Sequence, residues 1–465
     1  MKKTDISKQM AAESVGRLML RLSIPAVVAQ IVNLLYNIVD RIYIGHMPSV
    51  GSLALTGVGL CFPVVCIVTA FTMLAAQGGA PRAAIAMGEG DIKKAEKILG
   101  SCFSLLIILS VIITALFLAF GESFLMLFGA SGETIGYALD YLKIYAGGSV
   151  FVMLSLGLNM FITTQGFTKI SMATVVIGAV CNIILDPVFI FALDMGVKGA
   201  ALATVISQGI SAVWVVSFLF GKNTKLRLRA ENLAPSLKIL LPVLALGVSP
   251  FIMNSTEALI NVSFNSSLQK YGGDLAVGAM TVCSTVFQFA WVPAQGIGQG
   301  AQPIISYNYG AGDMRRVKQA FFDMLIMNFS FIFVTGALVE LFPAAFIKIF
   351  NSDPALVETA APLLRIYAAA MMFFGVQMSV QQTLISIGKA KASLFIACLR
   401  KVILLVPLIF ILPLFIQNKV LAVFLAEPVS DAVSIVTSVI VFIAVFGKEM
   451  KKRENPDAKS EKSGS

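Results

Sequence analysis

Gln30, Asn33, Asn37 and Asp40 follow one another at intervals of three, four and three residues inside an otherwise apolar run. On a helix that spacing is one face, with Tyr36 beside it. Asn182 and Asp186 stand four apart in CNIILDPVFI, and Thr204 adds a hydroxyl in the next apolar run. A charged side chain in hydrocarbon costs roughly 2.5–3.5 kcal/mol on insertion scales, so such acids face protein or water and mark routes for protons or ions. A third stripe, Asn254, Glu257, Asn261 and Asn265, occupies the seventh run, where the Glu257 carboxylate could attract cations. Pro25 leaves the Arg21 carbonyl without its helical donor and Pro187 does the same to Ile183, so a bend is expected at each. Structural readings stay open. Buried Asn and Thr often bond only to backbone, Asp186 could cap a broken helix, and Arg41 could pair with Asp40. Glu427 and Asp431, four apart in AEPVSD, read as structural residues near the outer surface.

The elements that must hold these residues are membrane spans. Of the 465 residues 57% are hydrophobic and 13% charged, and the mean hydropathy is +0.87. A soluble chain with that balance could not cover its core with polar surface. Runs near the ~20-residue bilayer length recur from end to end. They occupy 18–44, 52–76, 98–120, 136–163, 171–192, 198–220, 238–268, 274–299, 317–341, 357–385, 392–416 and 420–446. The expected fold class is therefore an all-α polytopic membrane protein of twelve helices. The first run lacks a small-residue cleavage site and reads as a retained helix. Of the 35 Lys and Arg residues, 28 fall on alternate connections, Arg400 and Lys401 among them, which puts both termini in the cytoplasm. The basic surplus thus sets topology rather than nucleic-acid binding. All six cysteines lie in apolar runs without a C-x-x-C, one histidine cannot build a zinc site, and neither H-E-x-x-H nor G-x-S-x-G occurs. An enzyme is not expected.

The chain also repeats itself. MGEGDIKKAEK (87–97) and YGAGDMRRVKQ (309–319) share G-x-G-D-x-basic-basic, with Gly88 and Gly310 222 residues apart. The same shift aligns QGGAP with QGAQP, LKIYA with LRIYA, and Gly166 and Lys169 with Gly388 and Lys391. It fails in the first helix of each copy, where Pro25 and Pro250 call for 225 and the polar stripes for 217. Six spans per copy return the chain to its starting side, so the copies share an orientation, the parallel-repeat class of transporters. The expected organisation is a six-helix lobe over 1–220, a cytoplasmic linker over 221–237, a second six-helix lobe over 238–447 and a charged tail over 448–465.

Over essentially its whole length this chain resembles the multidrug and toxic compound extrusion (MATE) transporters, in their DinF-like branch. The resemblance rests on the two six-span lobes, the duplicated G-x-G-D loop, the first-helix proline fifteen residues before an aspartate, and N-x-x-x-D-P in the fifth span. It implies an antiporter of the cytoplasmic membrane that exports small organic cations by alternating access. Asp40, Asn182, Asp186 and Thr204 would form a cation-coupling site for a proton or a sodium ion, with no other cofactor. Tyr36 and Asn159 match polar neighbours of that site, and Asn33, Asn37 and Glu257 would also line the cargo cavity. Two like-charged carboxyls in a dry site repel. A shared proton, or sodium held by carboxylate, amide and hydroxyl oxygens, relieves that repulsion. The tenth span has Gln377, Gln381 and Gln382 but no acid, against the coupling site of the family's other branch. The chain is expected to act as a monomer in lipid, without nucleic acid. A lipid-linked oligosaccharide flippase of related architecture is the alternative, disfavoured because few Lys or Arg are expected to face inward. A passive channel is the other, and it would need no titrating pair.

Overall fold

The computed structural model describes residues 10, 12–47, 51–350 and 353–454. Hydrocarbon offers backbone groups no water, so each span bonds within itself as a helix. No strand occurs among the described residues. In chain order the spans are α1 Val15–Gly45, α2 Leu53–Gly88, α3 Ile92–Leu127, α4 Ile135–Gly147 with Ser149–Thr164, α5 Thr168–Ala192 and α6 Gly196–Phe220. The helical stretch Leu237–Gly310 is broken at Gly273 (φ 62°, ψ −160°) into α7 (237–272) and α8 (274–310). Only glycine adopts that backbone without strain. Then follow α9 Met314–Leu341, α10 Pro354–Ser386, α11 Ala390–Phe415 and α12 Lys419–Glu454. Twelve spans are thus present among the described residues, as the hydropathy requires. Several depart from a straight α-helix, α5 just after Pro187, where a bend is expected. α4 bends by 54° at Gly148, and π-helical turns interrupt α5 at Val188–Ala192 and α11 at Leu399–Leu405.

The repeat is visible in atomic detail. Gly90 and Gly312 take left-handed φ angles of 82° and 80°. The following aspartates then cap α3 and α9: Lys94 N donates to Asp91 at 2.9 Å and Arg316 N to Asp313 at 3.0 Å. Gly166 and Gly388 are likewise left-handed. Asn159 Nδ2 donates to the Ser171 carbonyl at 3.2 Å, and 222 residues on Gln381 Nε2 donates to the Ser393 carbonyl at 3.1 Å. Each of these amides keeps its own side-chain oxygen without a hydrogen-bond partner among the described residues.

Two compact units result. One comprises Ile24–Met87 and Asp91–Ser255; the other comprises Gly88–Gly90, Thr256–Ser465 and Met1–Ser23 over their described residues. They are called here the N-unit and the C-unit. In the N-unit the stretch between α6 and α7 is a pinned strap. The Gln165 Oε1 accepts from Thr224 Oγ1, Lys225 N and Leu226 N at 2.8–2.9 Å. Glu96 accepts from Arg227 N and pairs with Arg229 at 2.9 Å. Leu226 and Leu228 are buried beneath it. In the C-unit the Arg316 guanidinium holds the segment before α1 by donating to the carbonyls of Met10 and Glu13 at 2.9 and 2.8 Å.

Close helix crossings fix the N-unit. A methyl built on Gly247 would strike the Leu74 carbonyl oxygen, and one on Gly78 the Val243 carbonyl oxygen, so α2 and α7 touch backbone to backbone. Gly247→Val should therefore destabilise the protein by about 1–3 kcal/mol, seen as a lower Tm of the detergent-purified chain. Gly209→Ala, whose methyl would meet only the Phe151 ring at 3.8 Å, is the tolerated control. Equal Tm values for the two variants would refute the tight crossing.

Candidate functional site

Three helices of the N-unit bring together most of the polar residues expected from the sequence. On α5 the i, i+4 spacing lets Asn182 Nδ2 donate to Asp186 Oδ1 at 3.2 Å. The same amide reaches Thr204 Oγ1 on α6 at 3.5 Å. Asp186 is fully buried and Asn182 nearly so. They lie just before the π-helical turn that follows Pro187. From α1, the Asp40 carboxyl stands beside that of Asp186, within hydrogen-bonding and electrostatic reach. Arg41 bears on Asp40 electrostatically, but the described residues contain no ion pair between them. Tyr36 lies one turn before Asp40, its hydroxyl in reach of Asn37 and of Gln208 on α6.

Three oxygens of this cluster, Asp40 Oδ1, Asn182 Oδ1 and Asp186 Oδ2, are buried without a hydrogen-bond partner among the described residues. Buried acceptors left in that state cost free energy until a proton or cation answers them. Two carboxyls, an amide oxygen and a hydroxyl are hard oxygen donors, suited to a proton or to a hard monovalent cation.

Other expected members stand apart. Asn37 donates its amide back to the Asn33 carbonyl at 2.6 Å, on an exposed part of α1. Asn159 lies on α4 and bonds to Ser171, about three turns of α5 before Asn182. Pro25 sits inside α1, the helix that carries Asp40. Sequence reasoning missed Gln208 and Ser155: the Gln208 amide oxygen accepts from Ser155 Oγ at 2.5 Å. Gln208 is one turn after Thr204, and that spacing alone could have flagged it.

The C-unit holds a different cluster, and here one expectation is corrected. Arg400 and Lys401, counted with the cytoplasmic basic residues, are buried within the π-helical turn of α11. Glu427 and Asp431, read from the sequence as structural, are buried beside them. Arg400 Nε donates to Asp431 Oδ1 at 2.6 Å, and its Nη2 donates to Glu427 Oε1 at 2.8 Å. Its guanidinium lies 4.4 Å from the centre of the Phe374 ring. Lys401 pairs with Glu257 on α7. A buried arginine is tolerable only with such partners, and none of the three acids is near it in sequence. Glu257 therefore does not offer a free carboxylate.

Comparison with known proteins accords with this architecture. A profile of the MatE family matches residues 25–188 and 250–411, once in each half. The chain is similar to the curated Multidrug export protein MepA of Staphylococcus haemolyticus, 26% identical over 402 residues, 86% of this chain and 87% of the relative. It is 27% identical over 403 residues to the MepA of Staphylococcus saprophyticus, with the same coverage. A crystal structure described as MATE in the bent conformation superposes with a TM-score of 0.90 at 23% identity, covering 97% of this chain and 100% of that one. A MOP superfamily transporter from Pyrococcus furiosus, described as having a binding pocket of reverse polarity, superposes at 0.89 with the same identity and coverage. With both halves of the chain matched and twelve spans in place, the chain belongs to the MatE family of multi-pass membrane transporters.

Proposed function

We propose that this chain is a multidrug antiporter of the cytoplasmic membrane, with both termini in the cytoplasm. As a monomer it exports small organic cations by alternating access while protons or sodium ions move inward. The observation that carries this reading is the set of buried oxygens on Asp40, Asn182 and Asp186 that have no hydrogen-bond partner among the described residues. Two carboxyls side by side in a dry interior repel when both are charged, and a single proton or cation relieves that repulsion. Relatives named as multidrug export proteins support the cargo class. A flippase for lipid-linked pyrophosphates would want a cationic interior. Here the buried Arg400 and Lys401 are answered by Glu427, Asp431 and Glu257, which disfavours that reading. A passive channel has no need of a paired-carboxyl cluster.

Asn keeps the size of Asp and loses its titration. Asp40→Asn should therefore abolish uphill ethidium export in proteoliposomes, a loss of at least about tenfold, while the protein stays inserted and monodisperse. Undiminished drug resistance in cells expressing the variant at normal levels would sink the coupling role. The coupling ion is separated by its ligands. A proton needs one basic carboxyl, whereas sodium needs several hard oxygens at once. We favour the proton, for which the carboxyl pair suffices. Asn182→Leu and Thr204→Val should then leave sodium-free export running with a displaced pH optimum, each change removing a hydrogen bond of roughly 0.5–3 kcal/mol. Sodium-dependent export at fixed pH and membrane potential, lost in both variants, would instead assign sodium.

A further inference from the structure

In the charge cluster around α11 three carboxylates meet two cations, two of the carboxylates buried and the third, Glu257, half exposed. Glu427 and Asp431 pair with Arg400, and Glu257 pairs with Lys401. Arg400 is fixed: it is bound to two carboxylates and a ring face, and its backbone carbonyl accepts from Ser430 Oγ at 2.8 Å. The Lys401–Glu257 pair is asymmetric. The lysine side chain is 4% exposed and the glutamate 45%, so one partner is sealed in protein while the other opens outward. That opening continues along α7, where Asn261 is exposed and donates to the Glu257 carbonyl at 2.9 Å. Lys401 also bears electrostatically on Glu427 and Asp431. An ammonium drawn off Glu257 would thus remain beside a surplus of carboxylate rather than become a stranded charge. Ser430 on α12 is fully buried, and Gln377 on α10 is nearly so, its Oε1 without a hydrogen-bond partner among the described residues. Gln377 follows Phe374 by three residues, on one face of α10.

We propose that Glu257 is the docking point for the cationic end of the cargo, and that the Lys401 ammonium is a tethered competitor that holds this carboxylate until cargo displaces it. This rests on the reading of the chain as an exporter of organic cations. Arriving cargo brings the cation that the cluster lacks, and Lys401 shifts its charge toward Glu427 and Asp431. Departing cargo lets Lys401 return to Glu257, so the lysine limits how tightly any cation is retained.

The test is equilibrium binding of ethidium to the full-length detergent-purified protein, followed by fluorescence anisotropy. Removing a tethered competitor strengthens binding, so Lys401→Met should bind ethidium about tenfold more tightly. Lys401→Arg should stay near the parent. Glu257→Gln should weaken binding about tenfold, and adding Lys401→Met to it should change nothing further, since the competed carboxylate is gone. In proteoliposomes Lys401→Met should lower both KM and kcat, a split that simple loss of structure does not produce. Unchanged or weaker ethidium binding by monodisperse Lys401→Met overturns the proposal. So does a parent protein that fails to bind ethidium, or a double variant that binds more tightly than Glu257→Gln. Tighter binding by Lys401→Met without uphill transport by the parent would uphold the docking site and reject the export reading. Uphill transport with unaltered Lys401→Met affinity would do the reverse.

Discussion

A membrane interior leaves no water to answer a buried polar group, so every donor, acceptor and charge must find its partner in the protein or in what the protein carries. This chain meets that constraint in two opposite ways. In the C-unit a buried guanidinium and a buried ammonium are met by three carboxyls, one of them half exposed. In the N-unit Asp40, Asn182 and Asp186 present acceptors that the described protein leaves open.

The contrast is written on a duplicated scaffold. The glycine-aspartate caps before α3 and α9 and the Asn159–Ser171 and Gln381–Ser393 bonds keep the same geometry at a shift of 222 residues. The chemistry does not follow. The positions equivalent to Asn182 and Asp186 are Leu404 and Leu408, and those equivalent to Arg400 and Lys401 are Gly178 and Ala179. Backbone hydrogen bonds and cap geometry tolerate little change and so hold both copies alike. A buried side chain, by contrast, can be exchanged for an apolar one once its partner is lost as well, and the two interiors are thereby free to differ.

What could be read from the sequence divides along the same line. Length and hydropathy revealed the twelve spans, because a bilayer imposes one length on every helix. The polar stripe of α1 and the Asn182–Asp186 pair were legible because their spacing is local. Arg400 and Lys401 were misplaced in a cytoplasmic connection because they closely follow Lys389 and Lys391, and because the acids that make them tolerable lie on α7 and α12. The π-helical turn at Leu399–Leu405 hid them further, since it breaks the 3.6-residue period on which a face is read. Glu427 and Asp431 were visible as an i, i+4 pair, but spacing carries no information about depth.

The stretch between α6 and α7 has the composition of a tether: polar, basic and interrupted by proline. About seventeen residues of free chain would reach roughly 55–60 Å when drawn out and would place almost no mechanical limit on its ends. Gln165 and Glu96 remove that slack by fastening Thr224–Arg229 to the N-unit. The reach of the free connection is thereby lost to any rearrangement that moves cargo across the membrane. With Thr224–Arg229 fastened, the length of that connection does not by itself set how far its ends can separate.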